Sequence, residues 1–329
     1  MKVLSFLGTR LISVVVVLWG AATIAFLTLH LTPGDLVDVM LGPNSTASEA
    51  VRAAIREDLG LDQPLIIQYF SYLGRLLTGD LGVSYQQSRP VIDIIGDQIG
   101  HTLQLAAAAM ALALTASVII GVLTSGTRAR VRKGISSTLE LIAVSAPGFW
   151  IGLMLLVIFS FNLKIFPVSG ARDWTALVLP AITMALPVTA ILTQVGRNGM
   201  EASLRQPFTV TARSRGLSEI KILSRHSLRH GAIPVITLAG FVAGSLIGGA
   251  VIAETVFGRP GLGRMALTAI NGKDVPVVMG VVLISALAFV VINLTVDLLY
   301  LAIDPRLRVA SSKSDIQKKV EDDTTVTQG

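Results

Sequence analysis

The polar residues of this chain that could carry chemistry are few and poorly grouped for catalysis. His226 and His230 have the i, i+4 spacing that lets two imidazoles meet one metal, but they stand among Arg225 and Arg229, which would repel a cation. The chain has no cysteine, so thiolate ligands, thiol nucleophiles and disulfides are all excluded. No G-x-x-x-x-G-K-[ST] is present to cradle nucleotide phosphates. The nearest glycine cluster, Gly258-Arg259-Pro260-Gly261-Leu262-Gly263, contains a proline and reads as a turn or re-entrant segment. Neither H-E-x-x-H nor G-x-S-x-G occurs. The expectation is therefore no catalytic residue, no metal ligand and no cofactor held by this chain.

A second set of polar residues lies inside apolar surroundings, where each costs free energy and so marks a candidate functional position. Asn293 and Asp297 are i, i+4 and share a helix face; Asp297 either lines a pathway or snorkels and pairs with a basic neighbour. Glu254, Gln104 and Gln194 fall near the ends of their apolar runs. None is placed as a mid-membrane proton relay, which counts against a secondary proton-coupled carrier.

The elements that must hold these residues are membrane spans. The chain has 329 residues, 52% hydrophobic and 15% charged, against about 25% charged in an average soluble domain; mean hydropathy is +0.70. A helix needs roughly 20 mainly apolar residues to cross the hydrocarbon, and six such runs occur, at 11–31, 102–125, 139–163, 175–195, 235–257 and 275–303. Backbone groups in lipid must pair within their own segment, so the runs should be helices. The first is too long for a cleavable signal and no A-x-A site follows it, so it should be retained. Pro147, Pro180 and Pro187 interrupt or bound the third and fourth runs and should kink them. Gly240, Gly244 and Gly248 recur every four residues on the fifth, a small face for helix packing or for a contact that changes between transport states.

The formal net charge of +6 resolves by segment. The N-terminus, the loop near 128–133, the loop 197–231 and the C-terminal tail hold 18 of the 27 basic residues and net +11. The alternating segments net −2. By the positive-inside rule both termini face the cytoplasm, and nucleic acid is not needed to explain the basicity.

Two connections are long enough for structure of their own. The outer one, 32–101, contains a short capped helix at 48–57 and the aromatic residues Tyr69, Phe70, Tyr72 and Tyr85, suited to packing on the membrane's outer face or on a partner; a solvated spacer is the plain alternative. The inner one, 197–231, reads as two short helices meeting at a turn around Gly216, with Ser218 as the second N-cap. Either it docks another protein or it only sets topology. The tail 307–329 is polar and expected to be disordered.

The inner cluster Thr211-Ala212-Arg213-Ser214-Arg215-Gly216-Leu217-Ser218, with Arg225-His226-Ser227-Leu228-Arg229-His230-Gly231-Ala232-Ile233-Pro234, resembles the coupling loop of ABC importer permeases. Leu31-Thr32-Pro33-Gly34-Asp35, Leu59-Gly60-Leu61-Asp62-Gln63-Pro64 and Gly79-Asp80-Leu81-Gly82 are similar to outer-loop signatures of the peptide and nickel permease family. So are Glu254-Thr255-Val256-Phe257-Gly258 with Pro260-Gly261-Leu262-Gly263, Asp297-Leu298-Leu299-Tyr300 and Asp304-Pro305-Arg306. The chain departs from the general pattern where Val210 replaces a glutamate, where Thr211 replaces an alanine, and at Pro207-Phe208.

The resemblance implies an all-α integral membrane fold of the type I importer permease kind, with 1–31 as first span, 32–101 as outer loop and 102–306 as the permease core. It implies a bacterial inner-membrane subunit of an ATP-driven importer for di- or oligopeptides, a nickel chelate, haem or a similar small solute. Its partners would be a second homologous permease, ATP-binding subunits or one fused ATPase carrying ATP and magnesium, and an extracytoplasmic solute-binding protein. Thr211, Ala212, Arg213, Arg215, Gly216, Leu217 and Glu219 would couple to the ATPase. Gly240, Gly244, Gly248, Glu254, Asn293 and Asp297 would serve the pathway or helix packing, and Asp62, Gln63, Asp80 and Tyr85 would meet the binding protein. A stand-alone channel or secondary transporter is the rival reading.

Overall fold

The computed structural model describes residues 2–31, 34–41, 47–58, 60–126 and 130–303, so the expected disordered tail and the Asp304-Pro305-Arg306 motif lie outside the described residues. The described residues are helical almost throughout. Among them five helices are long and apolar enough to cross a membrane, or six if one sharply bent pair counts as a single span.

The first apolar run forms α1 (Lys2–Leu31), whose span-like portion is Arg10–Leu31. Three short helices follow: α2 (Leu36–Leu41), α3 (Glu49–Asp58) and α4 (Leu65–Leu77). α3 begins as Ser48 suggests, its carbonyl taking the Arg52 N–H at 3.1 Å. The ion pairs Arg56–Asp35 at 2.7 Å and Arg52–Asp38 tie α3 back to the α2 segment. A two-stranded hairpin, β1 (Val83–Ser84) against β2 (Arg89–Pro90), pairs Val83 with Pro90 and Ser84 with Arg89.

The second expected span starts earlier than its apolar run. Helix α5 (Val91–Thr124) opens directly after Pro90, and its first turns carry Asp93, Asp97 and His101, charged or polar positions at which an apolar run must stop although a helix need not. At 34 residues it is about 50 Å long, which leaves its start standing clear of the hydrocarbon.

The third expected span is not one helix. Residues 139–163 divide between α6 (Arg130–Ser145) and α7 (Gly148–Leu155), which bend by 108° at the break, and α7 continues as a π-helical turn, Leu156–Asn162. Pro147 is the cause: a residue before proline is pushed out of the α region, and Pro147 itself is extended at φ −60 and ψ 133. Pro180 and Pro187, by contrast, are absorbed within the continuous α8 (Thr175–Leu204). Asp173 starts that helix, its Oδ1 accepting the N–H of Thr175 at 3.0 Å and of Ala176 at 3.2 Å. With the Thr175 hydroxyl, these bonds hold the Asp173 carboxyl below its ordinary range.

Two short helices, α9 (Pro207–Ser214) and α10 (Glu219–Ile222), lead through a π-helical turn into α11 (Leu228–Val256). α12 (Leu262–Gly272) and α13 (Val275–Ile303) complete the described chain. The main core joins α5, α8 and α11 through small residues, Ala109, Ala113, Ala185 and Ala250, interleaved with Leu105, Leu192 and Leu246. Small side chains let helix backbones approach closely where lipid supplies no hydrophobic drive. A second core packs the start of α5 on α12 and α13 through Val91, Ile95, Leu262 and Val277.

Candidate functional site

The segment between α8 and α11 is built as a compact helix–turn–helix. Pro207 occupies the first turn of α9, where its missing N–H costs nothing, and Gln206 before it is extended. The exit from α9 is a Schellman closure: the Gly216 N–H donates to the Arg213 carbonyl at 2.9 Å and the Leu217 N–H to the Ala212 carbonyl at 3.2 Å. Gly216 sits at φ 77, a left-handed conformation that glycine adopts without steric cost. Ser218 takes the N-cap position of α10 without a side-chain cap bond. Arg213 and Glu219 pair across the turn at 2.9 Å and hold the two helices together.

This element presents one side and is anchored by the other. Thr209, Ala212, Ile222 and Leu223 are buried against the rest of the chain, and Phe208 stacks on His230 with ring centroids 5.7 Å apart. Thr211, Arg215 and Gly216 are exposed. So are two apolar side chains, Val210 at 67% and Ile220 at 66%. Ala212 thus packs on its own chain. Val210, which the sequence marked only as a departure from the family's glutamate, and Ile220, which it did not single out, are the exposed apolar groups of this element, and their signal was an aliphatic residue within an otherwise polar loop.

Above this element two ion pairs clamp α6 to α8. Arg197 Nη2 pairs with Glu140, whose Oε1 also accepts the Ser136 hydroxyl at 2.5 Å, while Arg197 Nη1 donates to Ser137 Oγ at 3.0 Å. Both charged side chains are buried. Lys133 and Glu201 pair at 2.7 Å further along the same contact. Arg197 and Glu140 are 57 residues apart in the chain, so their pairing is a tertiary fact.

At the opposite end of α11, Glu254 is fully enclosed. Its carboxylate accepts the Thr102 hydroxyl at 2.5 Å and the N–H groups of Gly263 at 2.8 Å and Arg264 at 3.1 Å, which are orphan donors at the start of α12. The Leu262 N–H donates to Thr102 Oγ1 at 2.8 Å, and Arg259 donates to Gln104 Oε1 at 2.9 Å. A Cβ at Gly261 would strike the Glu254 carboxylate, and one at Gly263 would strike the Val251 backbone. The glycine cluster therefore serves close packing of the α11–α12 turn.

Among the pathway or packing candidates, Gly240 and Gly244 lie against α13, where a Cβ would meet Val296 in the first case and Asn293 and Phe289 in the second. Gly248 faces open space. Asn293 donates back to the Phe289 carbonyl at 2.8 Å; the side chain of Asp297 lies outside the described residues. Asp62 and Gln63 are exposed just before α4 and Asp80 just after it, about 20 Å apart by helix length. Tyr85 is half-buried in the hairpin, whose neighbour Ser84 bonds Asp274 at 2.6 Å.

The described residues thus combine several helices long and apolar enough to cross a membrane with one compact helix–turn–helix between α8 and α11. Residues 113–309 match the family described as binding-protein-dependent transport system inner membrane component, and residues 3–106 match the N-terminal region of such components. The chain belongs to this family and is the permease subunit of an ABC importer, a transport subunit rather than a catalytic one. It is 36% identical over 305 residues, 93% of this chain and 99% of the other, to the glutathione transport system permease protein GsiC of Salmonella choleraesuis (strain SC-B67). The corresponding Escherichia coli (strain K12) protein is 34% identical over the same shares. In fold it is similar to a chain of the MetNI methionine ABC transporter in inward-facing conformations, with a TM-score of 0.52 and 16% identity over 65% of this chain and 97% of that one.

Proposed function

We propose that this permease imports short peptides, the chemical class of the glutathione named for its relatives, or a similar small solute, and that α9 and α10 receive the push of the ATPase. In this reading α6 and α7 together form one bent span, which makes six, and both termini are cytoplasmic, as the +11 against −2 charge division supports. A second homologous permease completes the pathway. ATP-binding subunits, or one fused chain, carry the ATP and magnesium. An extracytoplasmic solute-binding protein delivers the cargo at the outer side, where Asp62, Gln63, Asp80 and Tyr85 are offered for contact.

The observation that carries the proposal is the closed helix–turn–helix, anchored through Thr209, Ala212 and Ile222 and exposing Val210 and Ile220. A rigid element seated in a partner's groove transmits a displacement without storing it in loop flexing. The push passes to α8, which leads into α9, and to α11 through the Phe208–His230 stack. α6 follows because its ion pairs bind it to α8. Arg215 and the Arg213–Glu219 pair orient the docking, and Leu217 adds apolar contact.

Gly216→Asp tests this. A side chain at the left-handed position costs about 1–2 kcal/mol and adds bulk where the partner must seat. The expected result is a permease that inserts in the membrane normally while ATP hydrolysis in the complex no longer drives uptake. Unchanged uptake would sink the coupling assignment.

A further inference from the structure

Helix α4 has one face that the fold satisfies and one that it does not. The satisfied face lies on α1: the Tyr69 hydroxyl meets Thr23 Oγ1 at 2.7 Å, Gln68 Oε1 meets His30 Nε2 at 3.0 Å, and the Phe26 ring contacts those of Tyr69 and Tyr72 at 5.2 and 5.7 Å. The opposite face carries Ile66, Ile67, Phe70 and Leu77, exposed by 70, 50, 65 and 90%. α4 contains no acidic residue, and its one basic residue, Arg75, is half-buried beside its last turn.

The depth of that contact decides what covers the open face. Thr23 and Phe26 belong to the span Arg10–Leu31, and at 1.5 Å per residue they lie about 12 and 8 Å inside its Leu31 end. A helix seated against them sits at hydrocarbon depth. α1 itself leaves Trp19, Ile24 and Leu27 exposed beside this contact, the surface that a span gives to lipid. The open face of α4 has the same apolar composition.

We propose that α4 is an interfacial membrane helix, sunk beside α1 into the leaflet at the Leu31 end of that span, with Ile66, Ile67, Phe70 and Leu77 in the acyl chains. Under the topology proposed above this is the outer leaflet, but the insertion itself does not depend on that orientation. Helices of this kind lie in the interface plane with the apolar face buried by about 5–10 Å, which matches the depth of the α1 contact. Gln68 is turned away from lipid, its amide donating to the carbonyls of Leu61 at 3.1 Å and Gln63 at 2.8 Å. The helix then fixes the heights of the turns at its two ends, Asp62-Gln63 and Asp80, above the membrane.

The chain has no cysteine, so single-cysteine spin labels report one position each in the intact transporter in liposomes. Ile66→Cys and Phe70→Cys labels should collide with oxygen and lose collisions with a water-soluble nickel chelate, whereas Asp62→Cys and Asp80→Cys labels should show the reverse. Ser71→Cys, a near-isosteric change on the exposed side of the helix, guards against misfolding at the larger residues and should follow the lipid pattern. Nickel-chelate access at Ile66, Phe70 and Ser71 would overturn the proposal. If that access were then lost on adding the solute-binding protein, the face would be a protein dock instead. Shielding from both reagents would likewise overturn it, placing α4 against a partner subunit.

Discussion

Arg197 and Glu140 illustrate how much a buried charge costs when its partner is removed. Both are enclosed between α6 and α8, and each has one further polar atom without a hydrogen-bond partner, Nε of Arg197 and Oε2 of Glu140. Arg197→Met leaves the carboxylate unpaired, and breaking such a pair typically destabilises by about 3–5 kcal/mol. The double change Glu140→Met with Arg197→Met should recover most of that loss, because it removes both desolvation penalties together. Thermal unfolding of the purified complex measures both variants; equal destabilisation by the single and double changes would contradict the pairing. The α11 glycines give a second contrast. Gly244→Ala pushes a methyl into Asn293 and Phe289 and should lower the unfolding midpoint, while Gly248→Ala meets open space and should leave it unchanged.

Elements differ in how far the sequence announces them. The apolar runs were legible because lipid demands about 20 consecutive apolar residues, a long signal that charge interrupts cleanly. The same rule hid the ends: α5 runs through Asp93 and Asp97 to Val91, and α8 carries Arg197 and Glu201 on its final turns. The turn between α9 and α10 was legible at Gly216 because glycine closes a helix in the left-handed conformation without steric cost. Its outward apolar groups were not, since burial of Ala212 and exposure of Val210 depend on where α9 meets the rest of the fold. The contacts of Gly261 and Gly263 with Glu254 and Val251 are likewise invisible along the chain.

The start of α8 carries a pH prediction at this scale. The folded value of Asp173 is depressed, so its capping contribution is complete above the ordinary carboxylate value of 3.8 and is lost as pH falls through the lower folded value. Amide-exchange protection at Thr175 and Ala176, corrected for intrinsic rates, should fall across that acid window and show no such step in Asp173→Ala. A step that survives the substitution would assign the effect to another group.

Three long helices, α5, α8 and α11, join the two ends of the described fold. At one end Glu254, Thr102 and Arg259 lock α5, α11 and α12 together; at the other, α8 and α11 hold the helix–turn–helix between them. The core between is made largely of alanine, which lets the helix backbones approach closely. The Pro147 break turns α7 by 108° from α6, which the Arg197–Glu140 and Lys133–Glu201 pairs hold to α8.

A photoreactive amino acid placed at Val210, and separately at Ile220, in the assembled transporter tests directly the proposed seating of the partner ATPase on α9 and α10. The expected result is cross-links to the ATP-binding subunit whose yield changes when ATP is bound. Cross-links to lipid alone, or none in a complex that still transports, would contradict it.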